Sequence, residues 1–229
     1  MGTRAAPPPV RRAVHVSGSP LRLPLFPLGG AILFPRSHLP LHIFEPRYRK
    51  MVEDAVAGGG LIGMIQPRAA PDDGLGNPEL YRVGCIGEIV GMEELADGRF
   101  NLVLQGTTRF RLIAEADVGT PYRQADVIPG DDAEVEPDAL PSVLRAAVEQ
   151  EARLLGDAMG LMVDWEAVER LDDEMLVNAI AQVAPFDGGA KQALLEEDVL
   201  TGRAELLIQL MQFLRMAQGG GGDVSPRMQ

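Results

Sequence analysis

From Leu21 to about Ile128 the apolar positions follow the two-residue period of strands. The pattern is clearest where Phe100, Leu102, Leu104, Thr108, Phe110 and Leu112 keep one parity while Asn101, Gln105, Arg109 and Arg111 take the other. Such alternation predicts a strand with one buried face. Gly106 interrupts it and predicts a bulge or sharp bend of the kind that curls a sheet toward a barrel. Upstream, Asp97-Gly98 separates the apolar run Val83–Met92 from this strand, a hairpin signal because glycine tolerates positive φ in a tight turn. One helix is expected in this region, near residues 46–57. Pro46 suits a first helical position, Tyr48, Met51, Val52 and Ala55 recur at helical spacing, and Gly58-Gly59-Gly60 stops the run. This helix is expected across an open end of the sheet. Gln66–Pro78 has no periodicity and reads as an exposed loop.

Past an acidic stretch, Gly130–Asp138, the period becomes helical. Leu144, Ala147, Val148, Leu154, Leu155 and Ala158 form one apolar stripe. Asp173 is placed to cap a second helix whose Met175, Leu176, Ala179, Ile180 and Val183 face one way, with Pro185 ending it. A short helical turn over Lys191–Leu195 leads to Thr201, expected to cap a last helix bearing Leu206, Leu207, Leu210, Met211 and Leu214. The expected organisation is a flexible segment over residues 1–20, a β subdomain over 21–130, a helical bundle over 131–218 and a disordered tail over 219–229. The fold class is α+β.

Charge divides the chain in the same place. Residues 1–130 carry 14 Arg and Lys against 13 Asp and Glu, whereas residues 131–229 carry 7 against 20, for a net charge of −12. That acidity opposes binding to a phosphate backbone. The 46% apolar content is that of a globular protein, and no apolar run reaches the length of a membrane span. The first twenty residues lack the apolar core of a secretory signal, so the cytoplasm is the expected compartment. The lone Cys85, inside an apolar run, is expected to be a buried small hydrophobe.

The residues needed for common chemistries are missing. No Gly-Lys dipeptide is present for a phosphate-binding loop, and the five serines include no nucleophile elbow. His38, His42 and Glu45 have spacing that would gather ligands on a helix, but Pro35, Pro40 and Pro46 predict extended backbone, on which these side chains diverge. No catalysis, cofactor or metal is therefore expected. Arg109 and Arg111 read as a solvated face, because no aromatic residues interleave with them for stacking bases. The stretch from Leu23 to Phe44 is denser in apolar residues than alternation can bury. Phe26, Phe34 and Phe44 are the candidates for an exposed strip that holds extended peptide, flanked by Arg47, Arg49 and Lys50, whose charge would attract acidic clients.

Leu23-Pro24-Leu25-Phe26-Pro27-Leu28, Leu33-Phe34-Pro35 and Leu39–Tyr48 resemble the opening signature of the N-terminal domain of Lon proteases. Val83–Gly87, Asn101–Gly106 followed by Arg109-Phe110, Pro121-Tyr122, and the helical segment Asn178–Leu207 continue the resemblance in order, over about Leu21 to Gln218. The resemblance implies a PUA-like β pseudo-barrel followed by a helical bundle. It also implies a bacterial-type, non-catalytic module that recognises unfolded or tagged protein substrates, in a form without the ATPase and peptidase domains. Such a module would act as a binder by itself or as an adaptor to a separate protease or chaperone. A role with RNA, by analogy with other PUA-like folds, is the alternative that the acidity opposes.

Overall fold

The computed structural model describes residues 18–68, 78–132 and 139–219, in two compact units that divide between Val135 and Glu136. The expectations for residues 1–17 and for the end of the tail lie outside the described residues, as do residues 69–77 of the Gln66–Pro78 loop and 133–138 of the acidic stretch. At the start of that loop Gln66 is buried rather than exposed, and Pro67 bridges to Leu80.

The first unit contains β1 (Leu21–Pro27), β2 (His38–Ile43), α1 (Pro46–Gly58), β3 (Leu61–Ile65), β4 (Val83–Glu94), β5 (Phe100–Ala116) and β6 (Gln124–Pro129). The strands run in the order β2-β5-β4-β3-β1-β6, and β6 pairs back onto β5, which closes a pseudo-barrel. Among the described strands β1 and β3 form the one parallel pair. Closure is possible because β5 is 17 residues long and, while one edge pairs with β4, its other edge serves two partners. Its first half, Phe100–Gln105, pairs with β2, and its second half, from Phe110, pairs with β6. Among the described residues β2 pairs with β5 alone and so forms the sheet edge, where the missing N–H of Pro40 is tolerated.

The change of partner is centred on Gly106. Its N–H donates to the Ser37 carbonyl and its carbonyl accepts from the Arg36 N–H, while Arg36 takes a positive φ of 63° to make the crossing. A Cβ at position 106 would lie 2.0 Å from the Phe34 carbonyl oxygen, so no larger residue fits this backbone. The irregularity expected at Gly106 lies beside it: Gly87 faces Gly106 and Ile86 faces Thr108, which leaves Thr107 as the extra residue of a bulge.

The Asp97-Gly98 hairpin forms as expected, with Gly98 at φ 77° and the Asp97 carboxylate accepting from the Arg99 backbone N–H. In α1, Tyr48, Met51, Val52 and Ala55 are the buried residues, and they join β-sheet side chains such as Phe26, Met64, Cys85 and Leu104 in one core cluster. Leu23, Leu25, Ile86, Phe110 and Val127 belong to a second cluster.

Where β5 meets the end of β6, Asp132 ties the unit together. Its carboxylate accepts from the Arg109 Nε at 2.9 Å, from the Arg109 backbone N–H at 2.8 Å and from the Thr108 hydroxyl at 3.1 Å. Arg109 is thus a mostly buried ion-pair partner rather than part of a solvated face, whereas Arg111 is exposed. Burial pushes the Asp132 carboxyl up, but the hydrogen bonds and charge of Arg109 outweigh it and leave it below its ordinary value.

The second unit contains α2 (Ser142–Met159), α3 (Trp165–Glu169), α4 (Asp173–Val183), α5 (Gly188–Glu196) and α6 (Leu200–Gly219). The cap of α4 is Asp172, not Asp173; Asp173 instead accepts from the Arg145 guanidinium and the Leu140 N–H. Thr201 lies inside α6, which begins one residue earlier. The helix around Lys191–Leu195 is longer than expected because Asp187 caps it from Gly188. On α2, Leu154 and Ala158 are exposed, and Val148, Ala152, Leu155 and Gly156 face inward.

The buried face of α4 is Glu174, Leu176, Val177, Asn178 and Ala181, so Met175 and Val183 of the expected stripe point out. The cause is Arg203 of α6, only 3% exposed, which donates to Asn178 at 2.9 Å and lies 3.8 Å from Glu174. A buried guanidinium needs a carboxylate and polar acceptors, and that need selects the face of α4 that turns inward.

Two measurements check this description. Gly106→Ala should lower stability by about 2 kcal/mol or more, because the clash is with backbone that cannot rotate away, whereas Gly119→Ala, with open space around it, should stay within about 0.5 kcal/mol. Thermal melts of both variants provide the comparison. Second, a carboxyl held below its unfolded value contributes stability that is complete above that value, about pH 4, and is lost as pH falls through the lower folded value. The stability difference between the protein and Asp132→Asn should therefore be full at neutral pH and shrink on acidification below about pH 4, as read by urea melts across that range.

Candidate functional site

The three phenylalanines that the sequence marks as a candidate strip do not share a surface. Phe26 is 5% exposed and Phe34 fully buried, while Phe44 is 60% exposed. Alternation along β1 fails to expose Phe26 because the strand has core on both sides: Leu25 enters one apolar cluster and Phe26 the other. Phe34 is buried where its own carbonyl meets Gly106. Phe44, between β2 and α1, stacks on His42 with ring centroids 6.3 Å apart. His42 is fixed in turn. Asn101 Oδ1 can only accept, so the His42 Nδ1–H donates to it at 2.7 Å; Arg99 can only donate, so His42 Nε2 accepts from it at 3.2 Å. Asn101 donates onward to Glu93, which completes a polar row across β2, β5 and β4 beneath one exposed aromatic ring.

The basic flank is largely neutralised. Arg47 pairs with Glu45 at 2.9 Å and Lys50 with Asp54 at 2.5 Å. Arg49 lies against the Gly98 turn. The attraction for acidic clients expected from these three residues is therefore weakened, because two of the three charges are paired within the chain.

A cleft of about 270 Å³ opens beside the first turn of α1, lined by Pro27, Arg47, Tyr48, Glu115, Ala116, Asp117, Val118, Thr120, Pro121, Tyr122 and Arg123. The two tyrosines differ. The Tyr122 hydroxyl donates to Asp54 at 2.8 Å, and burial, with the neighbouring Asp54 carboxylate, pushes its phenol up to about 12. Tyr48 is 7% exposed; Phe26 packs on its ring at 4.5 Å and the Arg47 guanidinium covers it at 4.5 Å. Arg123 is fully engaged, donating to both Glu115 oxygens and to the Pro78 carbonyl. Such a cleft can bind through hydrogen bonds, but nothing in it is arranged as a nucleophile and base. Among the described residues no group of three or more His, Cys, Asp or Glu could hold a metal ion, and no helix is long and apolar enough to cross a membrane.

Residues 22–212 match the ATP-dependent protease La (LON) substrate-binding domain. The chain belongs to that family. The LON substrate-binding domain match takes in both units, from the second residue of β1 into α6. The chain is 29% identical over 216 residues to Lon protease 2 of Myxococcus xanthus and 28% identical over 216 residues to Lon protease of Anaeromyxobacter dehalogenans, covering 92% of this chain in each case. It spans about a quarter of the length of these curated relatives, and the similarity does not extend to their protease and ATPase domains. In fold it is similar to a Lon N-terminal domain protein from Xanthomonas campestris, with TM-score 0.58, 24% identity, and coverage of 82% of this chain and 98% of that one. It is equally similar to the N-terminal domain of a Mycobacterium avium complex Lon protease, with TM-score 0.58, 19% identity, and coverage of 84% and 98%.

Of the sequence candidates, Phe44, Arg47 and Lys50 remain accessible, Arg49 is half-buried, and Arg47 alone of them lines the cleft. Sequence reading missed Glu115, Asp117 and Arg123, and read Tyr48 only as a core residue of a helix. The β5–β6 connection carries no motif, and its partner α1 lies some seventy residues upstream, as the Tyr122–Asp54 bond shows with a separation of 68. The placements are checked by stability. Phe26→Ala and Phe34→Ala should each cost about 3 kcal/mol or more, whereas Phe44→Ala should stay within about 0.5 kcal/mol, by urea denaturation.

Proposed function

We propose that this chain binds segments of unfolded polypeptide, and that Phe44 is the anchor of the binding surface, with Arg47 beside it. The observation that carries the reading is the exposure of Phe44 on a braced mount. An aromatic ring 60% exposed, stacked on a histidine that two hydrogen bonds fix, offers apolar area with little rotamer entropy to lose. Membership of a substrate-binding family supports a protein client. In this reading the chain recognises and holds, and any cleavage is supplied by protease and ATPase parts outside the matched span. An RNA ligand finds no support, because Arg47, Lys50 and Arg109 are each bound to a carboxylate of the chain.

The test is fluorescence anisotropy with fluorescein-labelled casein as the unfolded client. Phe44→Ser should weaken binding about tenfold, which corresponds to about 1.4 kcal/mol, with the melting temperature unchanged. Binding as tight as that of the unsubstituted chain would place the client surface elsewhere.

A further inference from the structure

The cleft beside α1 has a property that its contribution to folding does not account for. The Tyr48 hydroxyl has no hydrogen-bond partner among the described residues, although the residue is only 7% exposed. Phe26 and the Arg47 guanidinium both pack against its ring, so what Tyr48 offers a ligand in the cleft is chiefly its hydroxyl. Tyr48 lines the cleft together with Arg47 and Arg123, and burial raises its phenol above the ordinary value. The hydroxyl itself is not shut off from solvent, so it is a donor that an acceptor entering the cleft can take in place of water.

The charges around the cleft are unequal once the internal pairs are removed. Glu45 takes Arg47 and Glu115 takes Arg123, leaving Asp117, exposed and without an ion pair among the described residues, as the uncompensated charge at the rim. The whole chain carries −12. A free carboxylate entering the cleft would meet Asp117, whereas a neutral main-chain carbonyl would not. Arg47 uses Nε on Glu45, and its side chain is 46% exposed, so its remaining N–H groups can share an acceptor with Tyr48. Pro27, Val118 and Pro121 supply apolar walls.

We infer that this cleft is a subsite for a basic residue of a bound polypeptide: the client's main-chain carbonyl accepts from Tyr48 and Arg47, and its Lys or Arg head group is met by Asp117. The inference rests on the polypeptide-binding reading above and adds a preference for basic over acidic segments to it.

The test uses the full chain and three fluorescein-labelled unstructured peptides, identical except for a central Lys, Gln or Glu. The Lys peptide should bind about two- to fivefold tighter than the Glu peptide, a margin that narrows in high salt. Asp117→Asn should bring that ratio to about one, while Glu205→Gln, which removes an exposed charge on α6, should leave it in place and so separate the local effect from net charge. Tyr48→Phe should weaken all three peptides about threefold or more without lowering the melting temperature, since the lost hydroxyl serves no bond within the chain. If the peptides bind but Lys and Glu are treated alike, or if Tyr48→Phe destabilises the fold and leaves binding intact, the subsite is overturned and the client surface at Phe44 stands. If no peptide binds, both readings fall.

Discussion

The first unit depends on one close approach, that of the Phe34 carbonyl to Gly106 at the middle of β5. Where a side chain would stand, the backbone of residues 34–37 crosses instead and exchanges hydrogen bonds with Gly106. That crossing lets one long strand pair with β2 over its first half and β6 over its second, so the sheet closes on itself and, among the described residues, β2 is left at the edge. Closure gives the sheet an inside, and β1 then has core on both sides. This is why Phe26 and Phe34 are core while Phe44, past the end of β2, is left to solvent.

The electrostatics of the unit are local. The Arg22–Asp126, Arg47–Glu45, Lys50–Asp54, Arg109–Asp132 and Arg123–Glu115 pairs each place a cation on a nearby carboxylate, so the basic N-terminal composition does not become a basic surface. Most of these pairs are exposed and add little to stability. Arg109–Asp132 differs because it is mostly buried and closes the end of the barrel sheet with several hydrogen bonds. Among the described residues, Phe44 is an exposed aromatic ring, Tyr48 a phenol without a hydrogen bond in the chain and Asp117 an exposed carboxylate without an ion pair.

In the helical unit one buried cation does comparable work. Arg203 recruits Glu174 and Asn178, so a polar residue pair rather than the richest apolar stripe decides which side of α4 faces inward. Lys191 is buried on the same principle, with its ammonium donated to the Gln182 carbonyl and its basicity lowered by burial. Aspartates at 164, 172 and 187 cap three of the helices, each accepting from the N–H three residues on.

The sequence by itself determined the local features, because each follows from residues close together in the chain. Alternation marked β5, Asp97-Gly98 marked its hairpin, Pro46 and the triple glycine bracketed α1, and the ordered apolar and proline motifs from Leu23 to Tyr48 carried the family resemblance. It also marked Gly106 as a break, since a glycine inside an alternating strand is locally anomalous. Only tertiary structure decided what that glycine admits, which apolar residues are left exposed, and which cations are cancelled. Burial of Phe26 depends on a second core on the far face of β1, inward Glu174 depends on Arg203 of another helix, and the cleft depends on bringing Glu115–Arg123 to Arg47 and Tyr48. Those are contacts between residues tens of positions apart, formed by chain closure and long-range charge pairing, and no local period or spacing encodes them.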